Sequence, residues 1–398
     1  MNSNKQKTPI LQFNKVQKND YQSFNLDDLI LQKHIGEGSF GKVFIVKDKK
    51  TGEIYAAKIS FEKIDESSEE MILNLSREVN IIAKLNHPTV LKFIGYSPFN
   101  FKKKPKPVIL TEFASNGSLY DLIESDRKSN IESAFNDTLK LIIIYGIASA
   151  MSYLHSNDII HRDLKPANIL LDDYFFPKIA DFGLSKANFQ IDKKTNQKSI
   201  AAIKGTPIYI SPEIWEKMEY IKPCDVYAFG LILYEIMTNE KPFKNFHIFE
   251  IPIKVKNGYR PPFKKPIPPS YRNLIEACWS NQPDNRPTFA QIVDQLKNDR
   301  GFITDSVNEK DYYNFIQYIN QCEVSFDSSR PIIQISKYIN TKSKVFSNKE
   351  KSASIKIIEN IGSNDFQFSD LYKLDEQSKE KINEIGQDER SFFLIAKS

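Results

Sequence analysis

Between Leu29 and Phe61 apolar and polar residues alternate, with glycine turns between the alternating runs. A period of two marks half-buried strands, so this stretch predicts three of them. From Ser67 to Leu85 the period lengthens. Ile72, Leu75, Val79 and Ile82 recur at helical spacing, and Ser67 with Glu70 suits a capping box at the start. Lys92 to Phe113 predicts two further strands joined by the basic loop FKKKPKP. That lysine run is first of all a solvated loop; a nuclear localisation signal is the sharper alternative. Helical spacing then prevails over 118–124, 137–156, 222–238, 270–279 and 288–298. Five strands with one helix, followed by a helical half, predict an α+β fold in two lobes.

The two ends of the chain read differently. Residues 1–25 are rich in Asn, Gln and Lys and predict a flexible N-terminal segment. From 299 to 398 apolar patches such as Tyr312–Ile319 and Ile332–Ile339 lie among Ser/Lys/Asn-rich stretches, with no internal repeat. This segment reads as a C-terminal tail or linker, partly ordered, or as a docking segment for a partner. The expected division is therefore 1–25, a domain over 26–298, and 299–398. The most apolar run, Leu141–Leu154, is short for a membrane span and reads as a buried helix.

Composition narrows the classes. The hydrophobic share of 40% and the charged share of 26% are those of a soluble globular chain. A net charge of +5 over 398 residues does not argue for nucleic acid. The three cysteines, Cys224, Cys278 and Cys322, form no CxxC pair. They favour a reducing compartment over a disulfide framework or a zinc site. MNSNKQKTPI lacks the apolar stretch of a signal peptide. The expectation is a cytoplasmic protein without membrane insertion.

The candidate chemistry gathers on two loops. His161-Arg162-Asp163-Leu164-Lys165-Pro166-Ala167-Asn168-Ile169-Leu170 is followed at short range by Asp181-Phe182-Gly183. Two carboxylates, an amide and a lysine in this order suit in-line phosphoryl transfer from a nucleotide to a hydroxyl. Asp163 could accept the hydroxyl proton, Asn168 and Asp181 could hold magnesium, and Lys165 could neutralise charge on the moving phosphoryl. Upstream, Gly36-Glu37-Gly38-Ser39-Phe40-Gly41-Lys42-Val43 is a GxGxxGxV loop, in which glycines let backbone amides approach phosphates. A dinucleotide fingerprint would open a helix inside the loop. Here Val43-Phe44-Ile45-Val46 continues as a strand. Either tripeptide, HRD or DFG, would alone be compatible with an ordinary charged turn; their combination and spacing are what carry the reading.

Together these motifs resemble the eukaryotic protein kinases, over roughly residues 26–298. The resemblance implies ATP and Mg2+ as cofactors and assigns roles along the chain. Ile35, Gly36, Gly38, Gly41 and Val43 would cover the nucleotide. Val43 and Ala56 would roof the adenine, with Leu170 as its floor. Lys58 would contact the α- and β-phosphates, paired with Glu78 on the core-facing side of the following helix. Thr111 would be the gatekeeper, and Glu112 and Ala114 would bond the adenine through backbone groups. Gly205-Thr206-Pro207 and Ser211-Pro212-Glu213 would close the activation segment, with Ser211 where the family usually has alanine. Glu213 would pair with Arg286, and Asp225 would hold the catalytic-loop backbone from beneath.

Cys278-Trp279 leading to Arg286-Pro287-Thr288-Phe289 is similar to the tyrosine kinase and tyrosine-kinase-like branches, and Lys165 to the serine/threonine enzymes. This implies a tyrosine-kinase-like serine/threonine kinase acting on protein hydroxyls. The rivals are a pseudokinase scaffold, a dual-specificity kinase, and a kinase of small molecules or lipids. For control, Arg162 and Lys178 are expected to face a phosphate on Thr195 or Ser199.

Overall fold

The computed structural model describes residues 25–38, 41–61, 79–128, 135–181, 186–187, 206–217 and 219–326. The small lobe holds β1 (Leu29–Gly38), β2 (Gly41–Asp48), β3 (Ile54–Ser60), the short β4 (Leu85–Asn86), β5 (Phe93–Ser97) and β6 (Val108–Glu112). All but β4 form one antiparallel sheet in the order β1-β2-β3-β6-β5. These are the five strands that the alternation predicts. One face is sealed by Leu26, Leu29, Val46, Ala57, Val108 and Leu110. Gly41 has a steric reason to be glycine, because a Cβ there would lie 2.2 Å from the carbonyl oxygen of Ile59 on the next strand. Of the helix expected over Ser67 to Leu85, residues 79–84 are described and are helical; the rest lies outside the described residues.

The large lobe follows as α1 (Leu119–Lys128), α2 (Asp137–Ser156), β7 (Ile159–Ile160), β8 (Ile169–Leu171), β9 (Pro177–Ile179), β10 (Lys186–Ala187), α3 (Pro212–Lys217), α4 (Lys222–Thr238), α5 (Ile251–Lys256), α6 (Pro269–Cys278) and α7 (Phe289–Asn298). The six-residue helices α3 and α5 have no counterpart among the helices expected from sequence, because fewer than two turns show no period. α2 starts at Asn136, whose side chain accepts from the Leu139 N–H. Its Leu, Ile and Ala residues are buried on almost every side, as in α4. At 20 residues, α2 is long and apolar enough to cross a membrane, so length does not exclude a span, contrary to the expectation from the apolar run alone. Burial decides the matter: 78% of its apolar window lies inside the protein.

The chain does not leave the domain at residue 298. A 3-10 turn (Arg300–Phe302) leads into α8 (Glu309–Gln321) and β11 (Ser325–Phe326), which pairs antiparallel with β4. Tyr312, Phe315, Ile316 and Ile319 recur at helical spacing and are buried. The Tyr145 ring of α2 meets Tyr312 at 5.8 Å and Phe315 at 6.3 Å, and Phe176 meets Phe315 at 4.5 Å. Gly146 makes room for this docking, since a Cβ would stand 2.5 Å from Pro177 and 3.2 Å from the Phe315 ring. The Tyr153 hydroxyl accepts from the Asn86 N–H at 3.0 Å and donates to the Ser325 carbonyl at 2.8 Å, tying α2, β4 and β11 together. Residues 299–326 are therefore a layer of the large-lobe core, continuous with it. Phe315→Ala should cost about 3–5 kcal/mol of folding stability, as for a core aromatic, read as a lowered urea midpoint at unchanged slope. A midpoint like the wild type's would show that this layer is not part of the cooperative unit.

Candidate active site

The loop between β7 and β8 carries the candidate catalytic residues, and a buried carboxylate holds it from below. Asp225 stands in the first turn of α4 and is 2% exposed. Its oxygens accept the backbone N–H of His161 and of Arg162, each at 2.9 Å, and His155 Nε2 at 2.9 Å. Burial alone would favour the neutral acid. The bond from His155, the charges of His155 and His161 and the His161 amide outweigh it and hold the carboxyl below its usual range. The loop is bent into unusual backbone: Arg162 has φ 72° and Asp181 φ 61°. Non-glycine residues rarely adopt this region, and the strain persists only where surrounding bonds fix it. His161 supplies one, its Nε2 donating to the Ala180 carbonyl at 3.0 Å, so that the two loops are joined just before Asp181.

Four donors converge on the Asp163 carboxylate. Asn168 Nδ2 lies 3.1 Å and Lys165 Nζ 3.1 Å from one oxygen; the Thr206 N–H at 3.0 Å and hydroxyl at 3.1 Å bond the other. Lys165 also donates to the Thr206 hydroxyl at 2.6 Å. The structure thus brings Asp163, Lys165 and Asn168 together, as their spacing predicts. Thr206 joins them, although the sequence assigns it no role of its own. Its position in Gly205-Thr206-Pro207, just before Ser211-Pro212-Glu213, is the available signal, but nothing in the spacing sets residue 206 against residue 163.

Lys58 on β3 reaches across the cleft to Asp181, 2.8 Å from Nζ to Oδ1, with side chains 24% and 31% exposed. Burial opposes ionisation of Asp181, yet Lys58 beside it prevails and keeps its carboxyl below the usual range. The expected partner Glu78 lies outside the described residues, as do Phe182, Gly183, Thr195 and Ser199. Ala56 stands opposite Thr111, and Val43 opposite Lys58, in the sheet register. Val43, Ala56, Thr111, Glu112, Ala114 and Leu170 are all half-buried, and Ile35 at the rim is 41% exposed. A Cβ at Gly36 or Gly38 would meet nothing within 4 Å, so no neighbour among the described residues requires glycine there. Asn168 turns its amide nitrogen to Asp163, which leaves Oδ1 facing away, and the Asp181 carboxylate adds hard oxygen atoms. Such a donor set fits Mg2+, which takes one or two protein oxygens and completes its shell with water and phosphate.

Lys178 corrects an expectation. It is turned to the carboxylates of Glu112 and Asp172, while Thr195 and Ser199, the phosphate positions expected for it, lie outside the described residues. It is 8% exposed, with Nζ 3.3 Å from Glu112 and 3.9 Å from Asp172. Arg162 is stacked over Tyr220 at 4.9 Å, and its Nε is buried without a hydrogen-bond partner among the described residues. Further down, Arg286 meets Glu213 in a two-pronged pair at 2.6 and 2.8 Å, both side chains almost fully buried.

Comparison with known proteins follows the same outline. The protein kinase domain family profile matches residues 29–296. This chain belongs to the protein kinase family. It is 34% identical over 274 residues to a probable serine/threonine-protein kinase of Dictyostelium discoideum, covering 68% of this chain and 20% of that protein. It is 35% identical over 295 residues to a probable LIM domain-containing serine/threonine-protein kinase of the same organism, covering 73% of this chain and 28% of the relative. A serine/threonine-protein kinase of Arabidopsis thaliana is 31% identical over 278 residues, covering 70% of this chain and 45% of its own length. The chain thus spans less than half the length of each of these relatives. In this kinase domain the Glu213–Arg286 pair fastens the end of the activation segment to the core.

Burial disfavours the Glu213 carboxylate, but Arg286 holds its pKa below the usual value of 4.5. The stabilisation is therefore present above that value and is lost as the pH falls through the lower, folded-state value. Arg286→Met should cost about 3–5 kcal/mol in urea unfolding at neutral pH, because it strands a buried carboxylate. Glu213→Leu combined with Arg286→Met should recover part of that loss; a double variant worse than the single would show that the loss does not come from the stranded charge.

Proposed function

We propose that this kinase domain is an ATP- and magnesium-dependent protein serine/threonine kinase of the tyrosine-kinase-like branch. The observation that carries the reading is the four-donor cradle around Asp163. Four donors hold its carboxylate in one orientation. Its first task is to orient a substrate hydroxyl in line with the γ-phosphorus of ATP; it takes the hydroxyl proton as the oxygen–phosphorus bond forms and the bond to the β-phosphate oxygen breaks, releasing ADP. Lys165 sits between Asp163 and Thr206, where its charge would offset that on the transferring group. Lys58 would hold the α- and β-phosphates, exchanging Asp181 for them. Asn168 and Asp181 would hold magnesium, which neutralises phosphate charge when bound. Thr206 joins the base to the segment that would receive the peptide, so acceptor and base share one rigid support. Lys165 and Thr206 together favour serine and threonine acceptors in proteins. The three free cysteines agree with a reducing, cytoplasmic setting.

Asp163→Asn should lower kcat by about 100- to 10,000-fold and leave ATP affinity within a few-fold, since the carboxylate acts on the hydroxyl. Steady-state kinetics beside nucleotide titration checks this; near-normal turnover would remove Asp163 from its role and a wild type without transfer would favour a scaffold. Incubation with a degenerate peptide library should yield phosphoserine and phosphothreonine. Mainly phosphotyrosine in the hydrolysate would overturn the acceptor assignment.

A further inference from the structure

Lys178 is a buried cation that the chemistry above does not use. It lies on β9, three residues before Asp181, and opposite Leu170 of β8. Its Nζ is 3.3 and 3.4 Å from the two Glu112 carboxylate oxygens and 3.9 Å from Asp172. Glu112 is the last residue of β6, two residues before Ala114, at the backbone that would bond the adenine. The same carboxylate accepts the Lys92 N–H at 2.8 Å, so it is fastened from two sides.

The C-terminal layer lies near this pair. Tyr318 of α8 stacks against Phe176 of the β8–β9 turn at 5.6 Å. Burial, the neighbouring Cys322, and the charges of Asp172 and Glu112 together raise its phenol. On the other flank His87 is pushed down to about 4, by burial first and by Lys178 second. With the Lys178 side chain 10% and the Glu112 side chain 28% exposed, the pair is partly withdrawn from water, where it interacts more strongly than a fully solvated one. Its location joins the two halves of the nucleotide site. One end is the backbone that would bond the adenine and the other is strand β9, which stops two residues before Asp181, the residue that would hold magnesium.

We propose that Lys178 is a positioning residue for the nucleotide, whose pair with Glu112 sets the hinge backbone of residues 112–114 at a fixed distance from β9, the strand that leads to Asp181. This rests on the nucleotide-binding reading of the cleft. Without the pair the hinge gains freedom that ligand binding must then remove, so affinity falls while the phosphoryl-transfer machinery keeps its bonds.

The test uses the full-length chain with Lys178→Met, Lys178→Arg, Glu112→Gln and the Lys178→Met/Glu112→Gln double variant. Thermal melting confirms that each is folded. ADP is titrated by calorimetry in the presence of Mg2+, and amide hydrogen exchange of residues 112–116 is followed without ligand. Lys178→Met and Glu112→Gln should each weaken ADP by about threefold to thirtyfold and speed exchange of those amides. The double variant should be no worse than Lys178→Met, and Lys178→Arg should restore most of the affinity. In turnover assays the loss should fall on KM for ATP rather than on kcat. A folded Lys178→Met protein with wild-type ADP affinity and wild-type exchange overturns the proposal, as do additive losses in the double variant. If Lys178→Met does not fold, Glu112→Gln and Lys178→Arg decide by the same two readouts. A wild type that binds ADP but transfers no phosphoryl would defeat the kinase reading, while the exchange comparison would still judge the role of Lys178.

Discussion

The Asp225 carboxylate is the contact on which the arrangement of the active site depends. It is one side chain with one charge, yet it fixes two consecutive amides, at His161 and Arg162, immediately before Asp163. With both amides committed, Arg162 is kept at φ 72°, a conformation that would relax if either bond were lost. His161 then reaches the Ala180 carbonyl, and Asp181 takes its own left-handed backbone. The Asp163 and Asp181 carboxylates are therefore both placed from one point in the floor of the large lobe. α4 contributes by burying Asp225 in its first turn, where the helix dipole favours a negative charge.

Much of this was legible in the sequence because the functional side chains sit in short, ordered runs. Asp163, Lys165 and Asn168 lie within six residues, and the loop that carries them can fold on itself in few ways. The strands could be read because alternation with a period of two is hard to mistake when glycines break it. Glu213 with Arg286, and Asp225 beneath the loop, followed from family resemblance and stand in the structure as expected. Thr206 is different. Its two bonds to Asp163 depend on the course of the chain between residues 163 and 206, which no local pattern encodes. Lys178 differs for a related reason. A lysine beside Asp181-Phe182-Gly183 invites a phosphate partner, but strand geometry aims it at the hinge carboxylate.

Past residue 298 the sequence carries a signal of its own. Tyr312, Phe315, Ile316 and Ile319 have the spacing of one helical face, yet the polar stretches around them resemble a linker. Averaged composition hides a single amphipathic helix of 13 residues. The surface it covers gave a matching hint. Gly146 in the middle of an otherwise apolar helix has a cost in helix propensity and makes sense only where another element comes close. Pro177 and Phe315 are those elements.

The pairing of β11 with β4 bears on how the chain is made. Asn86 and Ser325 are 239 residues apart and touch in the finished fold. A ribosome delivers the small lobe and α2 long before it delivers α8. At the usual elongation rate of roughly 5–20 residues per second, the aromatic face of α2 around Tyr145 waits about ten to thirty seconds uncovered. During that interval it is an apolar surface on a nascent chain, open to chaperones or to the wrong neighbour. The final closure comes only when the Tyr153 hydroxyl finds the Ser325 carbonyl. Contacts of such long sequence separation form slowly because the loop must close before they contribute anything. Synthesis thus imposes an order on the molecule, in which the part carrying the chemistry is complete before the part that seals its back.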